Sequence, residues 1–594
     1  MYSPPLKEMR FALDLAGLAD VAGLPGTGEL TPDLVDAVLE EAGKLAAEVL
    51  APLNQPGDKE GSRLENGIVY TPKGFKEAYR RFVEGGWNSV PFAPEHGGQG
   101  LPTLIHVALS EMWNAANMSF ALCPLLNFGA VEAINAHGSP EQKATFLPKM
   151  ISGEWCGTMN LTEPQAGSDL SLIKTRAVRD GQHYRITGQK IFITYGDHDF
   201  TDNIIHLVLA RIPEAPAGTR GISLFVVPKM LVKPDGSLGE RNDLRCVSLE
   251  HKLGIKASPT AVMAFGDERG AVGYLVGEEN RGLAYMFTMM NNARLGVGLE
   301  GVAIAERAYQ QARDYAKSRV QSRDIASSDE KPVTIIHHPD VRRMLLSMRA
   351  QGEAMRALVY YAAALLDLAK RHPDAAARQA HERLVDLLIP VCKAWSTDIG
   401  VEIASVGIQV HGGMGYIEET GAAQHYRDAR ITPIYEGTNG IQANDLMGRK
   451  LGRDRGETAR RFIATMRELD GALAAAKGET FLSLRLPLRQ GLDALAGATD
   501  WMVEAITRDV RHAAAGAVEY LRLFGTVTGG WLMARGALEA AARLASGEGD
   551  AAFLEAKLVS ARFYAASVLA RAPAFLSPIT RAGESVLALA EEQF

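Results

Sequence analysis

The sequence predicts a mostly α-helical protein with one small β domain between helical regions, and three observations carry that prediction. From about Pro32 to Met150 apolar residues recur at helical spacing, as in Leu34, Val35, Val38 and Leu39 and again in Leu104, Val107, Ala108 and Met112. Short β-rich runs bounded by Gly, Pro and Asp follow at residues 184–195, 203–211, 221–229 and 260–265. After Gly282 the strands stop, and residues 283–320 carry no proline and keep an apolar stripe. That stretch predicts a single helix of roughly 55 Å, at about 1.5 Å per residue.

Each element then takes its place along the chain. Gly97, Gly98, Gly100 and Pro102 mark a loop in the first helical region. Further helices are expected at residues 338–370 and 375–410, the second ended by Gly412, Gly413 and Gly415. The order helices, strands, helices points to a β domain clasped by helical ones, not to a parallel α/β sheet. Beyond Gly452 an alanine-rich helical region runs over residues 458–592, with breaks expected at Pro487, Gly529 and Gly547. The expected domains are an N-terminal extension (1–33), a helical domain (34–157), a β domain (158–280), a helical bundle (281–452) and an added helical domain (453–594).

Composition narrows the function classes. At 594 residues, 47% apolar and 22% charged, the chain reads as a multi-core soluble protein. A net charge of −7 speaks against nucleic acid or anionic lipid as a partner. Cys123, Cys156, Cys246 and Cys392 are scattered, which argues against a disulfide framework or a zinc site and fits a reducing compartment. The opening MYSPPLKEMRFALDLAG lacks the features of a secretory leader, and the apolar stretch 357–369 is too short for a bilayer. A cytoplasmic protein without membrane insertion and without a metal is expected.

Five segments could carry chemistry. CGTMNLTEPQAGSD, from Cys156 to Asp169, offers the backbone amides and hydroxyls that one edge of a flat heterocycle needs, although a capped turn explains it as well. Glu163 within it reads as a structural carboxylate. KIFITYGD follows a strand, with Phe192 and Thr194 on one face by the period of two. In the long helix Asn291 and Arg294 lie three residues apart and share a face, where a cation could meet an anionic ligand or simply make a surface ion pair. Arg319 near its end could reach a phosphate or favour the helix C-terminus. QVHGGMGY, from Gln409, is a glycine-rich turn after a helix: it could approach a pyrophosphate or merely stop the helix, and His411 reads as a packed or solvent-facing histidine. IYEGTNGIQ places Glu436 alone between an aromatic and a glycine, where burial would raise its pKa above about 4.3, although a loop carboxylate exposed to water fits the segment equally.

Taken together and in this order, the segments from Leu34 to Leu451 resemble the acyl-CoA dehydrogenase family. TEPQAGSD looks like the family's first signature, and QVHGGMGY followed by RDARITPIYEGTNGIQ like its second. The resemblance implies a helical domain, a β-barrel domain and a four-helix bundle, with FAD as cofactor. It implies that Met159, Leu161, Thr162 and Ser168 line the flavin, that Phe192, Ile193 and Thr194 cover its ring, and that Ser168, Asn291, Arg294 and Gly437 face the substrate. Arg319 and Gln321, with Gln409, Gly412 and Gly413, match the places that hold the FAD diphosphate and adenosine across a subunit interface, and Thr438, Asn439 and Gly440 a further FAD contact. Glu436 matches the catalytic base. Some relatives supply that base from the long helix, but the corresponding residue here is Ala293, which cannot accept a proton.

There are departures from the family pattern. The family often has Phe-Gly after the helix arginine, where this chain has Val320 and Gln321. A loop of about a dozen residues then intervenes from Asp324 to Ile336, and Pro339 replaces a commonly polar residue. The C-terminal region and the N-terminal opening resemble the longer bacterial subgroup that includes 3-methylmercaptopropionyl-CoA dehydrogenase and enzymes for straight-chain acyl-CoAs.

The implied reaction is α,β-dehydrogenation of a fatty acyl-CoA or 3-methylmercaptopropionyl-CoA to the trans-2-enoyl-CoA, as in β-oxidation. An electron-transfer flavoprotein would accept the electrons and a homodimer would be the assembly. The alternatives are an acyl-CoA oxidase, which shares a C-terminal helical extension, and a flavin-bearing, nucleic-acid-associated relative, against which the acidic balance speaks.

Overall fold

The computed structural model describes residues 2–27, 30–326, 328 and 330–594. Beyond the first three residues the chain forms two compact units, residues 37–296 and residues 4–36 with 297–594.

In the first unit the helix Thr103–His137 is largely buried and broken once, at Asn117, whose φ of −160° and ψ of 88° leave the helical region. The Asn117 side chain accepts the Phe120 amide at 3.1 Å and so caps the restarted helix. By length and composition this helix could cross a membrane, unlike the stretch 357–369 singled out above, but 78% of its apolar window is buried in the fold.

An eight-stranded sheet occupies the rest of this unit. Its order is Leu244–Leu249, Thr260–Phe265, His183–Thr194, Ala271–Leu275, Ile222–Pro228, Asn203–Arg211 and Trp155–Asn160, with Arg176–Asp180 bridging His183–Thr194 and Asn203–Arg211. That bridge closes five strands into a small barrel. Most contacts are antiparallel, yet Trp155–Asn160 runs parallel to Asn203–Arg211. The latter strand is buried from Asn203 to Ala210 because both faces are covered. Val208 and Ala210 join Ile186, Phe225 and Val227 in one core. Ile205, Leu207 and Leu209 instead meet Ile134, Met150 and Trp155 in another.

The second unit is helical. Gly282–Ser318 is one helix of 37 residues, as its unbroken stripe predicts, and it contributes its residues from 297 onward. Pro339–Arg371 and Ala375–His411 end within a residue or two of their expected limits. Gly298, Gly301 and Gly400 let the long helix and Ala375–His411 touch backbone to backbone: a Cβ at Gly298 would lie 2.7 Å from the Cys392 carbonyl oxygen. The N-terminal helix Leu6–Ala16 belongs to this unit, with Phe11 packed against Ala540 and Leu554. Lys557 donates to Glu8 at 2.6 Å and pairs with Glu353 at 2.9 Å.

Two expected helix breaks do not occur. Pro487 lies inside Glu479–Arg508 and Gly529 inside Val510–Ser546, whereas Gly547 ends its helix with φ of 75°. Gly529 is a packing glycine, since a Cβ there would stand 2.7 Å from the Tyr564 hydroxyl.

The glycine crossing yields a test. Gly298→Ala should lower the melting temperature, with an overpacking cost of about 1–3 kcal/mol. Gly497→Ala, on an exposed helical face with nothing within 4 Å, should raise it slightly through helix propensity, by up to about 1 kcal/mol. Shifts of the same sign in both variants would contradict the packing account.

Candidate active site

The loop between the first sheet strand and Arg176–Asp180 owes its shape to one buried carboxylate. Glu163 accepts from Lys190 Nζ at 2.8 Å, Thr175 Oγ1 at 2.6 Å, the Lys174 amide at 2.6 Å and the Thr175 amide at 3.0 Å. Lys190 also donates to the Leu161 carbonyl at 2.9 Å, and the Ile191 amide to the Thr162 carbonyl at 2.9 Å. Burial pushes the Glu163 carboxyl up, but the ammonium of Lys190 and the hydrogen bonds outweigh it and hold the group at about 2. Burial likewise pulls Lys190 down to about 8. Glu163 is therefore the structural residue its sequence context indicates. Its partner Lys190 is the residue that sequence reasoning missed, although a lysine amid KIFIT on a half-buried strand is a visible signal.

Just beyond Lys190 the strand bulges: Ile191 and Phe192 oppose the single residue Val262. Phe192 adopts φ of 60° and is 58% exposed, while Ile193 is buried and Thr194 half-buried. A bulky residue in the left-handed region costs roughly 1–2 kcal/mol. Displaying an apolar ring there has no packing benefit, which makes the bulge a candidate ligand face. Met159 is buried, Leu161 and Thr162 are half-buried and Ser168 is exposed. Arg294 is 4% exposed, which overturns the surface ion-pair alternative; the adjacent Ala293 is buried too. The side chain of Asn291 lies outside the described residues.

The second unit holds the candidate base. Glu436 and Gly437 both sit in the left-handed region, with φ of 55° and 82°. The Gln442 side-chain amide, fully buried, donates to the carbonyls of both, at 3.3 and 3.2 Å. Thr438 caps the short helix Asn439–Asn444 by accepting the Ile441 amide at 3.2 Å. Asn439 ties that helix to Ala375–His411, donating to Ala394 O at 3.1 Å and Asp398 Oδ1 at 2.7 Å while accepting from Lys393 Nζ at 2.8 Å. Its amide is thus engaged within the protein, whereas Gly440 is exposed.

The remaining residues of this unit form an open surface. Arg319 and Gln321 are exposed, and Val320 pairs with Thr334 across the loop. His338 contacts the Gln321 carbonyl at 2.7 Å and so braces the same segment. Gln409, Gly412 and Gly413 are exposed, and nothing lies within 4 Å of a Cβ at either glycine. His411 is a packed histidine, bonded to the Gly407 carbonyl at 2.7 Å and stacked on Tyr315.

The cysteines are less scattered in space than in sequence. Cys123 and Cys156 approach to 3.6 Å, with His198 beside them. His198 Nδ1 accepts the Phe200 amide at 3.1 Å, which leaves the proton of the neutral ring on Nε2, the atom a cation would need free. The trio reads as core.

Residues 34–154, 158–267 and 280–451 match the N-terminal, middle and C-terminal domains of acyl-CoA dehydrogenases, and residues 460–590 match a domain described as acetyl-CoA dehydrogenase C-terminal like. A 3-methylmercaptopropionyl-CoA dehydrogenase of Ruegeria pomeroyi is 51% identical over 99% of both chains. The chain belongs to the acyl-CoA dehydrogenase family. A butyryl-CoA dehydrogenase of Syntrophomonas wolfei is 36% identical over 95% of this acyl-CoA dehydrogenase and 94% of its own length. The crystal structure of Caenorhabditis elegans ACDH-11 has the same fold, with a TM-score of 0.77 over 100% of this chain and 96% of that one, at 21% identity.

FAD is the family's cofactor, and the residues present suit it. An exposed aromatic ring on a strained bulge suits a flat heterocycle, and two glycines with open space above them suit a diphosphate.

The Glu163–Lys190 pair gives this acyl-CoA dehydrogenase a defined acid sensitivity. Because Glu163 titrates at about 2 when folded against an ordinary 4.5, its stabilisation is complete above pH 4.5 and is lost as the pH falls through 2. Lys190→Met strands a buried carboxylate at neutral pH and should cost about 3–5 kcal/mol. The gap in melting temperature between variant and wild type should narrow below pH 4.5; a gap independent of pH would contradict the assignment.

Proposed function

We propose that Glu436 is the base that takes the pro-R α-proton of the acyl-CoA thioester, giving the trans-2-enoyl-CoA. One observation carries this reading: a glutamate held in the left-handed region between Tyr435, whose hydroxyl donates to buried Glu300, and the buried Gln442, beside a glycine with the same backbone hand. Nothing in chain economy favours that conformation for a glutamate. Bound FAD supplies the acceptor for the hydride that leaves Cβ.

The protein's own part is placement and polarity. A thioester α-hydrogen is far too weak an acid for a carboxylate in water, so the developing negative charge on the thioester oxygen must meet a fixed donor. The backbone amide of Glu436 is the donor this chain offers. Exclusion of water strengthens both the base and that hydrogen bond. Met159, Leu161, Thr162, Ser168, Phe192, Ile193 and Thr194 hold and cover the flavin, while Arg294, Asn291, Ser168 and Gly437 face the substrate. Arg319, Gln321, Gln409, Gly412 and Gly413 hold the diphosphate and adenosine of the cofactor bound to a second subunit, with Thr438, Asn439 and Gly440 as a further contact.

The relative from Ruegeria supports 3-methylmercaptopropionyl-CoA as substrate, and the one from Syntrophomonas a short straight-chain acyl-CoA. An electron-transfer flavoprotein is the electron acceptor in this reading. A homodimer is supported by apolar side chains exposed around the same surface, Val320 at 50%, Ile325 at 84% and Tyr416 at 85%. Light scattering should return twice the chain mass; a monomer or tetramer would overturn the dimer.

The function is tested by mixing flavin-loaded protein anaerobically with a panel of acyl-CoAs, sulfur-containing ones included. Bleaching should be fastest with 3-methylmercaptopropionyl-CoA or a short homologue, and Glu436→Gln should slow it by at least about 10³-fold with thioester affinity retained. Native-rate bleaching in that variant would remove Glu436 from the mechanism.

A further inference from the structure

One buried carboxyl in the second unit has no role in the reading above. Glu300 lies on the long helix with no exposed surface, between the packing glycines Gly298 and Gly301. A glutamate in the tightest part of a helix crossing is costly, since a buried carboxyl must either be neutralised or be bonded. Its Oε2 accepts a hydrogen bond from the Tyr435 hydroxyl. Tyr435 is the residue immediately before Glu436.

We propose that Glu300 is the positioning residue for the catalytic base, acting through Tyr435 to hold the left-handed turn that presents Glu436. The turn is then pinned on both sides. Before Glu436, the Tyr435 ring is anchored by Glu300 and its amide donates to the Ile431 carbonyl at 3.1 Å. After it, Gln442 holds the carbonyls of Glu436 and Gly437. Removing either anchor frees the backbone at a residue that gains nothing by remaining left-handed.

Charge is arranged to suit. Burial pushes the Glu300 carboxyl up to about 8, and the neighbouring Glu436 adds to this, against the opposing effects of Tyr435 and Lys393. Burial also raises Tyr435 well above the ordinary phenol range, so its hydroxyl keeps the proton it donates. At neutral pH the pair therefore anchors the turn mostly as a neutral acid and a neutral phenol.

The inference rests on the proposed role of Glu436, and the two fail separately: the Glu436→Gln result above decides the base whatever happens at residue 300. In flavin-loaded enzyme, Glu300→Ala and Tyr435→Phe should each slow anaerobic bleaching by roughly 10–100-fold, since small misplacements of a reacting group have effects of that size. Flavin content and thioester affinity should stay within about threefold of wild type. Glu300→Gln, whose amide oxygen still accepts from Tyr435, should recover most of the rate. The double variant Glu300→Ala/Tyr435→Phe should be no slower than either single one, as expected for groups that act as a unit. Native-rate bleaching in Glu300→Ala and Tyr435→Phe, losses that multiply in the double variant, or failure of Glu300→Gln to recover would each overturn the proposal.

Discussion

Two consecutive residues of left-handed backbone, Glu436 and Gly437, set the demand that much of the second unit answers. A glutamate there pays about 1–2 kcal/mol relative to an ordinary conformation, and the surroundings must overdetermine it. Gln442 grips the two carbonyls, Thr438 caps the helix that follows, and Asn439 ties that helix to Ala394, Thr397 and Asp398. The hydrogen bond from Tyr435 to Glu300 adds an anchor from the long helix, at the glycine crossing that brings it into backbone contact with Ala375–His411. Helix packing thus supports the turn that carries Glu436.

The first unit follows the same logic with different parts. There the strained residue is Phe192, displayed on a bulge, and the compensation lies in the strand beside it. Glu163 satisfies its oxygens with Lys190, Thr175 and Lys174, and Lys190 in turn fixes the Leu161 carbonyl. A buried ion pair is a poor source of net stability. Its value here is geometric: it locks the loop carrying Leu161 and Thr162 to the strand carrying Phe192.

Much of this was legible from the amino-acid order alone, and what was not has physical reasons. Turn-bounded, β-rich runs located the strands at Asn203–Arg211 and Thr260–Phe265, which are buried along nearly their whole length, and an unbroken apolar stripe located the long helix. Pro487 and Gly529 misled because local propensity yields to packing inside long buried helices. Glu300 went unnoticed because a single acid in a helix is usually a solvated one; its setting, GVGLEGVA, was the available signal. The pairing of Cys123 with Cys156 depends on residues far apart in the chain and leaves no mark in spacing. Arg294 was legible as a position but not as a buried group, since burial of a helical arginine depends on what covers it.

Proton removal by residue 436 is measured apart from electron transfer by exchange at the α-carbon. A non-oxidisable acyl-CoA analogue, incubated with flavin-loaded enzyme in deuterated water, should incorporate deuterium at Cα with wild type. It should show none above background with Glu436→Gln at equal occupancy. Equal exchange by both proteins would contradict the account.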